Sequence, residues 1–211
     1  MKTNSQTLNF LTLNFLTLNM IACLTMAFCG GVVVGQSENK SEAKAQPAKA
    51  QKFDVADGQL MFAAPGDWKK ITPKFDFYHA EFNIPKADGD PKEGRITFSQ
   101  VGGSIKQNLD RWVGQFKGVD AGNEEQVKNE TQKIAGKEVK TIMIKGTFMD
   151  GAGPMAPKTD REDYVLLGAA IEMDQGANVY IKAYGPKKTM EANQKAFKKM
   201  LMEMKVGEKV D

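Results

Sequence analysis

Cysteine is scarce, and both copies, Cys23 and Cys29, lie in the first 35 residues of the 211-residue chain. The remainder has no disulfide, thiol nucleophile or thiolate ligand, and must be held by an ordinary hydrophobic core. Histidine is scarcer: His79 is alone. That excludes a multi-histidine zinc site, and neither HExxH nor zinc-finger spacing occurs. Beyond residue 52 the serines are Ser99 and Ser104, and neither sits in a G-x-S-x-G turn. A Ser-His-Asp hydrolase would need His79 beside one of them, yet Ser104 is already accounted for as a helix cap. No glycine-rich phosphate loop of either common type is present, so nucleotide phosphate has no recognisable cradle. Asp88, Asp90 and Glu93 lack EF-hand spacing and read as a solvated acidic turn. No metal and no cofactor is expected, and no catalytic constellation is visible.

Charge is almost missing from the start of the chain. Lys2 is the only charged residue among the first 35, and residues 8–34 are mostly Leu, Phe, Met, Ala, Cys and Val. This is the layout of an export signal. Cleavage after Gly35 would place small Val33 and Gly35 at its −3 and −1 positions. Cys23, after Met20-Ile21-Ala22, offers a lipidation site instead, and residues 15–35 are long enough to remain as an uncut anchor. All three fates put the rest outside the cytoplasm, periplasmic or secreted or membrane-anchored. Residues 36–52 contain no aromatic and no large aliphatic side chain, so they read as a disordered polar linker. Removing Lys2, then Lys40, Lys44, Lys49 and Lys52 with Glu38 and Glu42, brings the chain's 29 basic and 26 acidic residues to an even balance. A balanced domain gives no argument for nucleic acid. Membrane contact is expected only through the N-terminal segment, and the partner expected is another envelope protein.

Residues 53–211 read as a single α+β domain. Strands are expected over 59–64, 75–84, 95–101, 127–134, 137–149, 164–173 and 178–184, from alternation or short apolar runs between turn clusters. Residues 104–116 read as an amphipathic helix. Ser104 and Gln107 form a capping-box pattern, and Ile105, Leu109, Trp112, Val113 and Phe116 make one apolar stripe. A second helix runs from a Thr189 cap to about Met204. Its Met200 and Met204 share a face while Met202 does not, which fits core packing better than a copper site. The order β-β-β-α-β-β-β-β-α, with short gaps between strands, predicts an antiparallel sheet of six to seven strands covered by two helices.

Several stretches carry a resemblance. Leu60-x-Phe62-x-x-Pro65-x-x-Trp68, Ala80-Glu81-Phe82-x-x-Pro85, Gly102-Gly103-Ser104 with Asn108-x-x-Arg111-Trp112-x-x-Gln115-Phe116, and Tyr184-Gly185-Pro186 before the last helix form the pattern. It resembles a group of exported bacterial proteins of uncharacterised function, and the layout resembles the Mog1/PsbP-like fold. The resemblance implies that fold for nearly all of 53–206 and brings no catalytic residues.

What remains is a short set of candidate positions. His79 and Glu81 lie two apart on a strand and are expected to share a face. With Arg95 they mark a candidate ligand pocket, the basis of an alternative small-molecule-binding or enzymatic reading. Residues 150–163 read as a Gly/Pro loop, and its Asp160, Arg161 and Glu162 are the candidate partner site. Tyr180 and Tyr184 flank Lys182 on one strand face and are expected to pack under the final helix. The leading reading is a non-catalytic accessory or interaction module of the cell envelope. Cell fractionation with intact mass checks the export step: cleavage removes residues 1–35, whereas a whole chain recovered from the cytoplasm would overturn it.

Overall fold

The structure is a computed structural model that describes residues 48–73, 75–151 and 156–207. These belong to the compact unit Ala45–Asp211; the unit Met1–Lys44, with Cys23 and most of the expected linker, lies outside the described residues. The described chain opens with β1 (Gln51–Val55), antiparallel to β2 (Leu60–Ala64). Gln51 and Lys52, read as linker, are therefore in a strand. The reason is tertiary: Phe53 packs 4.8 Å from Phe98 and 5.1 Å from Phe82, ring centre to ring centre. The Gln51 amide also donates to the Pro65 and Trp68 carbonyls.

Next come β3 (Lys69–Ile71), β4 (Tyr78–Ile84) and β5 (Gly94–Gln100), followed by helix α1 (Ile105–Val113). Beyond it lie β6 (Phe116–Lys117), β7 (Val127–Ile134), β8 (Lys137–Asp150), β9 (Thr159–Ile171) and β10 (Val179–Pro186). Helix α2 (Lys187–Met202) and β11 (Lys205–Val206) close the described chain. The strands form an eight-stranded sheet, β3-β4-β5-β10-β9-β8-β6 with β7 also on β8, and a three-stranded sheet, β1-β2-β11. Every pairing is antiparallel. The α+β class and the helix-flanked antiparallel sheet expected from the sequence are the ones found. Short β1, β3, β6 and β11 add to the expected strands, and α1 ends at Val113, leaving Phe116 to pair with Phe148 in the sheet. Among the described residues no helix is long and apolar enough to cross a membrane.

Two cores lie on opposite faces of the large sheet. One gathers Phe82, Ile96, Phe98, Leu167 and Ile181 against β2 and the Met190, Phe197, Met200 and Leu201 side of α2. Met204 is buried there too, whereas Met202 is 59% exposed. The other core gathers Trp112, Phe116, Ile142, Ile144, Leu166 and Tyr180. Strand β9 is apolar on both faces because both are covered, as its unbroken run suggested. On β10, Val179, Ile181 and Ala183 belong to the α2 core, so Tyr180, Lys182 and Tyr184 face α1, not the final helix.

The capping box forms as read: Gln107 N–H donates to Ser104 Oγ at 3.2 Å, and Ser104 N–H to Gln107 Oε1 at 2.9 Å. Helix α2 starts differently. Thr189 does not cap it; Asp90 does so from the β4–β5 connection, accepting from Thr189 N at 2.7 Å and Thr189 Oγ1 at 2.6 Å. That carboxylate satisfies a first-turn donor that the helix cannot pair internally.

The seat of α1 is set by Gly168 on β9. A Cβ built there would overlap Trp112 Cζ3 and stand 2.8 Å from Ile142 Cγ2. Only glycine lets the indole lie against the strand, where Trp112 is 7% exposed and meets Tyr180 edge-on at 6.2 Å. Gly168→Ala should therefore cost about 1–3 kcal/mol by overpacking, and Trp112→Ala about 3–5 kcal/mol by cavity formation. Urea denaturation measures both. The costs should fall short of additive in the Gly168→Ala/Trp112→Ala double variant, since the smaller residue removes the clash.

Candidate functional site

Helix α1 covers only part of the second sheet face. The rest is polar, and it is assembled from side chains that strand pairing brings into rows. Glu81 stands opposite Thr97, which stands opposite Lys182; Asn83, Arg95 and Tyr184 form the next row. Glu81 Oε1 accepts from Arg95 Nε at 2.6 Å, and the carboxylate side chain is only 4% exposed. Arg95 Nη1 donates to Tyr184 Oη at 3.1 Å. Its guanidinium also lies 5.6 Å from the Tyr78 ring centre, a cation–π distance. Burial pushes the Tyr78 phenol up, and Arg95 pulls it partly back.

Two β-bulges edit this face. In β4 the pairing shifts between Tyr78 and Ala80, so Tyr78 opposes Ser99 and joins Glu81, while His79 is left exposed beside the ladder. Regular alternation had paired His79 with Glu81; the bulge substitutes Tyr78. In β9 the pairing shifts opposite Gly146/Phe148, with Asp163 at φ 50°, and Arg161 comes to stand opposite Phe148. Arg161 Nε then donates to Asp150 Oδ2 at 3.3 Å, an oxygen that Lys92 Nζ also reaches at 3.4 Å.

Six of the fourteen positions of the expected 150–163 loop are thus strand, since β8 runs to Asp150 and β9 starts at Thr159. Asp160, expected in that loop, is paired with Lys117 of β6 at 2.7 Å, and Glu162 is exposed. Of the candidate positions, Glu81 and Arg95 meet directly and Arg161 reaches the rim, while His79, Asp160 and Glu162 stand apart from them.

Lys182 is the residue that the candidate set missed, although its Tyr-Lys-Tyr face was visible. Its Nζ donates to Gln115 Oε1 at 2.5 Å, just past α1. It lies 4.8 Å from the Tyr184 ring centre and 5.3 Å from that of Phe148. Among the described residues no carboxylate is within ion-pair distance of it. Burial, then the neighbouring Arg95, push the amine down to about 7; Asp150 opposes this and Arg111 adds to it. Nearby, Arg95 Nη2 and Tyr164 Oη are buried without a hydrogen-bond partner among the described residues. Unused buried donors of this kind are uncommon and costly.

The arrangement holds donors and positive charge in an aromatic frame. Its serine, Ser99, is buried and donates to the Tyr180 carbonyl at 3.5 Å, His79 stands outside it, and Glu81 is engaged by Arg95. Among the described residues no group of three or more His, Cys, Asp or Glu is placed to hold a metal ion. Two hollows elsewhere, of about 290 and 360 Å³, flank β7–β8 beside α2 and α1 and share no lining residue with this cluster.

The amine gives a pH signature. Unfolded lysine titrates near its ordinary 10.5 and the folded amine near 7, so the unfolded chain holds more protons between those values. Stability contributed by this group rises with pH across that window and is flat below it. Lys182→Met should remove that rise and should raise the urea midpoint at pH 6, where the wild-type amine is charged and buried. Denaturation of both proteins from pH 6 to 10 checks the difference.

No family profile matches the chain, and no curated protein matches it in sequence. Among solved structures the chain is similar to cyanobacterial PsbP (CyanoP) from Synechocystis, at 12% identity and a TM-score of 0.46 over 85% of this chain and 98% of that one. It is similar to Mog1 at 12% identity and a TM-score of 0.43, over 75% and 96% of the two chains. LpqN of Mycobacterium tuberculosis, which is involved in cell envelope biogenesis, is similar at 12% identity and a TM-score of 0.44, over 75% and 92%. PsbP and Mog1 are the proteins whose names mark the layout expected from the sequence. The likeness is one of fold and assigns no activity to any residue of the site.

Proposed function

We propose that this protein is an exported, non-catalytic interaction module that recognises another envelope component through the polar sheet face around Arg95, Lys182 and Tyr184. The observation that carries the reading is that, among the described residues, the buried donors Arg95 Nη2 and Tyr164 Oη have no acceptor and the Lys182 amine has no carboxylate partner. A face serving only the fold would be expected to satisfy or replace such groups. Export rests on the charge-poor, apolar residues 1–35, whether cleaved, lipidated at Cys23 or retained.

The alternative, a small-molecule or enzymatic pocket at His79, Glu81 and Arg95, is supported by the Glu81–Arg95 contact and weakened by His79 standing outside it. Among the described residues the hydrogen bonds of Lys182 Nζ and Ser99 Oγ go to the Gln115 amide oxygen and the Tyr180 carbonyl, not to a base.

The test is cross-linking and affinity purification of the full chain from its native envelope. Envelope components captured by the wild type should fall at least about tenfold with Arg95→Met or Lys182→Met. Lys195→Ala, on the exposed side of α2, should leave capture unchanged. Capture that persists in both site variants would overturn the reading.

A further inference from the structure

We infer that the group recognised at this face is an oxyanion, a carboxylate or a phosphate, held between Arg95 Nη2 and Lys182 Nζ within the frame of Tyr78, Tyr184 and Phe148. The inference rests on the proposal that this face is the recognition surface, and it supplies the ligand chemistry.

The hydrogen-bond inventory points to it. Arg95 spends Nε on Glu81 and Nη1 on Tyr184, leaving Nη2 without an acceptor among the described residues. A lysine ammonium has three donors, and the one bond recorded for Lys182 goes to Gln115. The Tyr164 hydroxyl adds a further unused donor. The neighbouring acceptors are engaged: Glu81 by Arg95, and Asp150 by Lys92 and Arg161. What the cluster lacks is acceptors, and an oxyanion has lone pairs and no proton to place.

Charge selects in the same direction. Facing Lys182 are Arg95 from β5, Arg111 from α1, Asp150 from β8 and Tyr184 on its own strand; Glu81 and Tyr78 lie behind Arg95. Cations outnumber carboxylates, which disfavours a metal ion or an amine. A neutral sugar would bring donors of its own to a place already short of acceptors.

Binding and protonation are then linked. An oxyanion favours the charged form of Lys182 and draws its titration upward from about 7. If only the ammonium form binds, affinity should be about tenfold higher at pH 6 than at pH 8.

The experiment is isothermal titration of the purified full chain in chloride-free buffer, with inorganic phosphate and acetate as separate probes. The pH comparison uses acetate, which stays ionised throughout. Saturable binding of either probe is expected, weakened at least about tenfold by Lys182→Met and by Arg95→Met. Phosphate alone would identify a phosphate-bearing ligand, and acetate alone a carboxylate. Lys182→Met is expected to fold at least as well as wild type, and Arg95→Lys retains the charge opposite Glu81, so misfolding does not mask the result. No saturation by either probe, or saturation unchanged in both Lys182→Met and Arg95→Met, overturns the inference. Capture of an envelope component that depends on the same two residues, without binding of either anion, would overturn the ligand chemistry and leave the recognition face standing.

Discussion

The contact between Trp112 and the bare backbone of Gly168 is the constraint from which the second sheet face takes its shape. With no side chain at that point of β9, the indole can lie on the strand and bring α1 down with it. The rest of the helix then falls into register: Asn108 Nδ2 donates to Tyr180 Oη at 2.9 Å. Just beyond the C-terminus, Gln115 arrives over Lys182. A larger residue at 168 would lift the helix, and the first loss would be the placement of Gln115, not the sheet. The apolar anchor and the polar cluster are two ends of one element.

That cluster is built against stability. Among the described residues a half-buried ammonium has no carboxylate and buried donors have no acceptors, and both are unfavourable in a medium that screens poorly. The sheet tolerates them because β9 and β10 are apolar on the opposite face, where Leu167, Ala169, Ile171, Val179, Ile181 and Ala183 are almost fully buried. One side of the same two strands offsets what the other side costs. Structures that hold such groups in place without local benefit commonly use them for something else.

Legibility in the sequence followed how local the cause was. The Ser104–Gln107 capping box, the β10 alternation and the α2 stripe depend on neighbours within one or two turns, and all are present. Strand β1 was hidden because Gln51-Lys52-Phe53-Asp54-Val55 has little apolar pattern of its own; its order comes from β2 and from aromatic rings far along the chain. The start of β9 was hidden for the opposite reason. Thr159 to Asp163 is charged, and ion pairs from Lys117 and Asp150 accompany it on the sheet. For β10 the alternation was plain, but with cover on both faces the pattern alone does not say which helix meets which face. The two bulges were the deepest gap, since a shift of one residue reverses every assignment beyond it.

The β4 bulge has a meaning for insertion and deletion. Tyr78 pairs with Ser99 and Ala80 with Phe98, so His79 is the supernumerary residue of the strand. A chain lacking it could close the ladder as a regular strand, with Tyr78 still opposite Ser99 and Glu81 still opposite Thr97. The single histidine, which by side-chain type is the natural first choice for acid–base chemistry, occupies the one position in β4 that the sheet can give up without exchanging its faces.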